Sequence, residues 1–200
     1  MKNIIFDIGG VIVDYKRKTY FDYFNFDDKT KSEMEKIIFS EFWSELSKGH
    51  LTPNEFVKIL QEKYPSFSKE IEMVMNKNNY KFMIPPFKET LDFIKKLKKT
   101  DKKLYVISDI EENTIEYLKE EIEGFEELFD GLVYSCKVDM VKKDGDIFDY
   151  TINKFKLNPS ETLFIDDVVR NLEQAKKRGI HVFKFKGPQD IPEVETIINR

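Results

Sequence analysis

Short apolar runs alternate with longer amphipathic stretches along most of this chain, and the runs lead into polar residues. Ile4-Ile5-Phe6 ends in Asp7, Leu104-Tyr105-Val106-Ile107 in Ser108, and Leu163-Phe164-Ile165 in Asp166-Asp167, while Leu132-Val133-Tyr134 leads towards Lys142. Continuous apolar runs rich in β-branched and aromatic residues predict strands buried on both faces, as in a parallel sheet. Between them the pattern predicts helices over 87–99, 114–122, 147–155, 168–178 and 194–198, with one more strand over 181–185. Strands and helices in alternation predict βαβ units, hence an α/β chain with a Rossmann-like, doubly wound parallel sheet. Ligands of open α/β sheets bind beyond the carboxyl ends of the strands. The pattern therefore gathers carboxylates, a hydroxyl and an amine at one sheet edge.

From residue 15 to residue 83 the pattern changes character. Met34, Ile37, Ile38 and Phe42 fall at helical spacing. Thr52-Pro53-Asn54-Glu55 reads as a helix start, with Thr52 as cap, Pro53 in the first turn and Glu55 closing a capping box. Phe56, Ile59, Leu60 and Tyr64 follow on one face. No strand interrupts this block, so a small all-helical cap over 15–83 is expected, with 1–14 and 84–200 forming the core domain. Gly9-Gly10 supplies a tight turn after the first strand, Pro85-Pro86 marks the return, and Gly179 stands where a helix C-cap glycine belongs. The turn after Val13 and the Pro85-Pro86 connection are the expected hinges of cap closure. Trp43, inside the cap, reads as core.

Composition narrows the class. The 200 residues suit one domain with a modest insertion, and 40% apolar content with eighteen Phe supports a dense core. A net charge of −4 argues against a nucleic-acid partner. Lys95, Lys96, Lys98, Lys99, Lys102 and Lys103 read as a solvated helix C-terminus. No apolar stretch approaches the roughly 20 residues of a membrane span. The first residues already read as a strand, and the lone Cys136 excludes an internal disulfide, so a cytoplasmic location is expected. Cys136, His50 and His181 lack ligand-spaced neighbours and read as structural or surface residues.

Four strings now stand in order along the chain: FDIGGVIVD, LYVISD, VKKDGDIF and LFIDDVVRNLEQAKKRGI. Together they resemble the four motifs of the haloacid dehalogenase-like hydrolases, in the group with a small helical cap between the first two motifs. The resemblance spans essentially the whole chain. It implies Asp7 as nucleophile, Ser108 as phosphate-binding hydroxyl and Lys142 as the cation that stabilises transferring charge. It also implies a Mg²⁺ site from Asp7, the Gly9 backbone carbonyl and Asp167, with Asp166 a further ligand or a support, and Asn171 orienting that loop. Gly10 and Asp109 join Ser108 and Lys142 as expected substrate-binding positions. The implied chemistry is coherent: a carboxylate that attacks phosphorus forms an aspartyl-phosphate and splits one displacement into two. A hard divalent cation on oxygen ligands offsets the meeting of two anions.

Departures from the family pattern shape the functional expectation. Most phosphatases of the family carry a second Asp, the general acid and base, two residues after the nucleophile, where this chain has Gly9. Such catalysis is typically worth about 10²–10⁴-fold, so poor leaving groups are expected to turn over slowly. Asp14 reads as a flap or turn residue in preference to a substitute acid. Asp109 replaces a usual Asn, Asp139 a usual Gly, and Lys143 and Gly145 two prolines. Glu111 and Glu112 add charge on the same loop and are expected to face solvent. The expected function is a Mg²⁺-dependent phosphatase of a small phosphorylated metabolite, a sugar phosphate among the options. Two alternatives stand beside it. One is a weakly catalytic metal- and phosphate-binding regulatory protein, the other a metal-free 2-haloacid dehalogenase, in which paired Asp166-Asp167 has no evident purpose.

Overall fold

The computed structural model describes residues 1–199. Five strands form one all-parallel sheet: β1 (Asn3–Phe6), β2 (Lys103–Ser108), β3 (Gly131–Tyr134), β4 (Thr162–Asp166) and β5 (His181–Lys184). Their order is β3-β2-β1-β4-β5, so β1 is central and the chain winds outward on either side of it. A crevice opens beyond the strand ends where the winding reverses. Register brings the polar strand ends level: Phe6 pairs with Val106 on one side and Ile165 on the other. Asp7 N–H continues the ladder by donating to the Ile165 carbonyl at 2.9 Å.

Between β1 and β2 the chain is helical, with α1 (Asp28–Ile38), α2 (Glu41–Lys48), α3 (Pro53–Lys63), α4 (Ser68–Met75) and the short α5 (Tyr80–Met83). After the return come α6 (Lys88–Leu97), α7 (Glu112–Glu121), a single turn α8 (Ser135–Val138), α9 (Asp146–Phe155), α10 (Val169–Lys176) and α11 (Ile191–Ile198). Thr52 and Glu55 form the expected capping box on α3. Gly179 donates to the Lys176 carbonyl as α10 ends. Two details depart from the sequence pattern. Phe42 does not continue the face of Met34 and Ile38, because extended backbone at Ser40 separates α1 from α2. The stretch after β3 coils into α8 and closes at Asp139 with φ 54°, a left-handed conformation that explains why glycine suits the position.

Alternating strand residues build two apolar layers. Ile5, Tyr105, Ile107, Val133 and Phe164 pack against Ile147, Phe148, Leu172 and Ala175 of α9 and α10. On the other face Ile4, Phe6, Val106 and Ile165 belong to a cluster that runs on through Ile94, Leu118 and Val194 into Met34, Phe56 and Ile71 of the insertion. The insertion thus shares a continuous core with the sheet. Its two chain connections are zipped together: Asp14 N–H donates to the Pro85 carbonyl (2.9 Å) and Lys16 N–H to that of Met83 (2.8 Å). Its far side docks on α8, where Ser135 Oγ donates to the Ser47 carbonyl at 2.5 Å. Here His50 bridges two carboxylates, Glu45 at 2.8 Å and Asp139 at 2.7 Å, so it is a surface link between insertion and core. The basic run near Lys96 ends α6 at the surface, where Lys96 pairs with Glu195 and Lys103 with Asp130.

Candidate active site

Asp7 follows the central strand and is only 5% exposed. Its Oδ1 accepts from Ile8 N–H at 2.7 Å and Ser108 Oγ at 2.8 Å, and its Oδ2 lies 2.6 Å from Lys142 Nζ. Lys142 Nζ also donates to Asp166 Oδ2 at 2.7 Å, so one buried ammonium ties two buried carboxylates. Asp166 is fully engaged. Its Oδ1 accepts from Val168 N–H (2.7 Å), Oδ2 from Lys142, and both from Asn171 Nδ2 at 3.3 and 3.1 Å. Asn171 therefore anchors the carboxylate that positions Lys142.

Burial is the dominant electrostatic force here, because it disfavours the charged form. It pushes Asp7 up to about 7, against a pull from Lys142 and a further push from Asp166. Burial pulls the Lys142 pKa down, yet the carboxylates of Asp7, Asp166 and Asp109 together hold it above the ordinary lysine value. Asp167 is raised by burial and by Asp166. Ligand oxygens of Asp7, Asp166 and Asp167 lie within 4.8 Å of one another. Three carboxylates against one ammonium leave negative charge in excess. Among the described residues no backbone N–H claims the Gly9 carbonyl. Hard oxygen donors crowded in this way fit a Mg²⁺ ion, which balances the excess charge. Asp7, Asp167 and the Gly9 carbonyl remain the available donors once Asp166 has taken its partners.

The remaining expected site residues have the following surroundings. Gly10 N–H is donated to the Val13 carbonyl at 2.8 Å, so it is not available to hold substrate as expected. Gly10 contributes space, with φ +71° and Asp167 packed where a side chain would be. Asp109 Oδ1 accepts from Lys142 N–H at 3.0 Å and fixes the start of the lysine loop. Asp14 lies beside Lys16 at 3.6 Å and does not line the cavity that holds Asp7. Glu111 corrects the expectation of a solvent-facing loop acid. It is 2% exposed and caps α7 by accepting from Thr114 N–H (2.8 Å) and Asn113 N–H (2.7 Å).

Asp7, Ser108, Asp109, Glu111, Lys142 and Asp167 line a cavity of about 380 Å³ between the sheet edge and the insertion. Ser108, Lys142 and Asp167 lie on the core side, and Tyr15, Arg17, Trp43 and Ser44 on the insertion side. Trp43 packs edge-on against Phe39 (4.9 Å) and Phe56 (6.0 Å) while also lining the cavity, so it serves core and site together. Sequence reasoning passed over Tyr15 and Arg17. They sit at the start of a block whose only legible signal was helical periodicity.

A parallel sheet with a helical insertion thus carries a buried Asp–Lys–Asp floor at its carboxyl edge. A family model for haloacid dehalogenase-like hydrolases matches residues 1–179, and the chain belongs to that family. Among curated relatives, D-ribitol-5-phosphate phosphatase of Bacteroides thetaiotaomicron is 28% identical across 99% of this chain and 98% of its own length. Sesquiterpene phosphatase astK of Aspergillus oryzae is 24% identical over 90% of this chain and 87% of its own. Among solved structures, a predicted family hydrolase from Porphyromonas gingivalis superposes with a TM-score of 0.80 at 22% identity, covering 100% of this chain and 98% of its own. A family enzyme of Bacteroides thetaiotaomicron, in complex with magnesium and inorganic phosphate, superposes at 0.77 with 22% identity, covering 92% and 93%. No helix among the described residues is long and apolar enough to cross a membrane.

Proposed function

We propose that this protein is a Mg²⁺-dependent phosphomonoesterase that acts on a small phosphorylated metabolite through an aspartyl-phosphate on Asp7. The observation that carries the reading is Lys142 Nζ held 2.6 Å from Asp7 and 2.7 Å from Asp166, with Ser108 and Asp167 beside them. The phosphatase names of the two relatives support the reaction class, and the magnesium complex of the structural relative supports the ion. The cavity falls in the range of about 300–1,000 Å³ usual for small-molecule sites. A net charge of −4 disfavours nucleic acid as partner. The half-buried lone thiol of Cys136 suits a reducing cytosol.

In the first step a carboxylate oxygen of Asp7 attacks phosphorus, and the ester P–O bond breaks with its electron pair going to the leaving oxygen. In the second, water hydrolyses the acyl phosphate and restores the Asp7 carboxylate. Lys142 places positive charge beside both the nucleophile and the transferring group, and Ser108 supplies a hydrogen-bond donor there. Asp166 and Asn171 keep Lys142 in place. Asp7, Asp167 and the Gly9 carbonyl would hold a Mg²⁺ ion, which would supply countercharge for the phosphoryl oxygens.

Gly9 limits the reaction. A Cβ built there meets only Tyr15, at 3.9 Å, so sterics do not demand a glycine. Without an acid at this position an alkoxide leaving group departs with little help. Gly9→Asp should therefore speed alkyl-phosphate hydrolysis more than aryl-phosphate hydrolysis. The decisive assay follows phosphate release from a metabolite panel with Mg²⁺, with chelator, and with Asp7→Asn. Turnover that survives either the variant or the chelator would overturn the proposal. The dehalogenase reading needs no metal and leaves the crowding of Asp166 and Asp167 with Asp7 unexplained.

A further inference from the structure

Arg17 lines the same cavity as Asp7 but has no part in the chemistry described above. It follows Lys16, whose N–H donates to the Met83 carbonyl and whose own carbonyl accepts from Tyr20 N–H, each at 2.8 Å. Its guanidinium carbon rests 3.9 Å from the centroid of the Phe39 ring. Its charged neighbour is Glu35, whose Oε1 lies 3.7 Å from Nε, too far for a hydrogen bond. Among the described residues the Nη atoms have no acceptor. Stacking on an aromatic face holds a guanidinium flat and leaves its in-plane donors free. Phe39 in turn packs edge-on against Trp43, so the Arg17 platform and the aromatic wall of the cavity are one assembly.

The phosphate half of a substrate is served from the sheet edge by Lys142, Ser108 and the carboxylate cluster. Arg17 belongs to the opposite wall, with Ser44 and Trp43, and so meets the other half of the ester. We infer that Arg17 is a specificity-determining residue that binds acceptor oxygens, hydroxyl or carboxylate, on the leaving-group half of the substrate. This inference rests on the phosphatase reading. It assigns the site to oxygen-bearing phosphate monoesters, such as polyol or hydroxy-acid phosphates, in preference to plain hydrocarbon esters.

The test compares wild type, Arg17→Ala and Arg17→Lys with Mg²⁺ on a sugar-alcohol phosphate, a phosphorylated hydroxy acid and phenyl phosphate. Deleting a hydrogen bond from a charged donor should raise KM for an oxygen-bearing ester roughly 10- to 100-fold. The kcat for that ester should stay within about threefold, and KM for phenyl phosphate within about twofold, since neither quantity depends on a group that touches only the leaving half. Recovery by Arg17→Lys for the hydroxy acid alone identifies carboxylate as the acceptor; failure for both identifies a fork-shaped contact to hydroxyls. Phe39→Leu, which removes the platform, should raise KM in the same direction by less. An equal KM rise on all three esters would show that Arg17 serves the phosphate, and no change on any would reduce it to a surface partner of Glu35. Either result overturns the inference. Calorimetric Kd values for the same esters read this contrast without turnover, so an inactive wild type would count against the phosphatase reading alone.

Discussion

Gly10 and Asp167 share one space: a Cβ on Gly10 would fall 2.6 Å from the Asp167 Cγ. The two residues follow adjacent strands, β1 and β4, whose register brings their loops together. Gly10→Ala forces a side chain into a left-handed backbone, at a cost of about 1–2 kcal/mol, and displaces the carboxylate. The expected outcome is at least a tenfold rise in the Mg²⁺ concentration that half-saturates activity, with a melting temperature a few degrees lower. Gly9→Ala is the control. Its Cβ meets only ordinary contact, and its stability should stay within about 0.5 kcal/mol of the parent.

Lys142 is the sole cation in contact with Asp7 and Asp166 among the described residues. Removing one member of a buried charge network leaves the others uncompensated, which costs about 3–5 kcal/mol. Lys142→Met should lose that much stability in urea denaturation and at least about 10²-fold in turnover. Adding Asp166→Asn removes one stranded charge, so the double variant should regain stability while remaining inactive. A double variant no more stable than Lys142→Met would show that the lysine is held by packing and not by its carboxylates.

The sheet and the floor of the site were legible because each strand carries its own signal twice. The apolar run announces the strand, and the polar residue that ends it announces the edge, as at Phe6-Asp7 and Ile165-Asp166. Parallel register then does the gathering without help from distant residues. The wall contributed by the insertion was not legible. Helical periodicity says which side of a helix is buried but not what lies across the cavity, so Tyr15 and Arg17 carried no local mark. Glu111 misled for a related reason: a loop carboxylate is usually solvated, and only the position of α7 shows that it closes a helix N-terminus. Gly10 was expected to bind substrate, yet its N–H is taken by the Val13 carbonyl and its visible role, room for Asp167, depends on a residue far along the chain.

Stability without metal should depend on pH through Asp7. Its carboxyl holds a proton up to about 7, against an ordinary value of 3.8, chiefly because it is buried. Between those values the folded protein retains a proton that the unfolded chain has released. Stability is then highest near pH 4 and falls as pH rises to about 7, by at most about 4 kcal/mol for a shift of about three units. Lys142, raised from its ordinary value, changes its contribution only far above this window. Metal-free melting temperatures should fall from pH 5 to pH 8, Asp7→Asn should flatten the profile, and millimolar Mg²⁺ should raise the alkaline side. A metal-free profile with the opposite slope would show that Asp7 is stabilised as the anion.

Docking of the insertion depends on Gly49, which approaches α8 so closely that a Cβ would lie 2.1 Å from the Cys136 carbonyl oxygen. Its φ of +79° closes α2, and the neighbouring contacts all belong to the same seam: Ser135 to Ser47, and His50 between Glu45 and Asp139. Backbone atoms on both sides leave no flexible group to yield. Gly49→Ala must therefore part the seam or distort α2, at a cost of roughly 2–3 kcal/mol from strain and lost packing. Because Asp139 lies on the path from α8 to Lys142, opening this seam should also loosen the lysine loop and lower turnover. His50→Gln keeps the backbone seam and removes only the ion pairs, which at an exposed site are worth little, so it should retain near-parental stability. Urea denaturation of the two variants, with hydrogen exchange at 135–142, separates the alternatives. Parental exchange in Gly49→Ala would mean that α8 and the lysine loop hold their shape without the insertion.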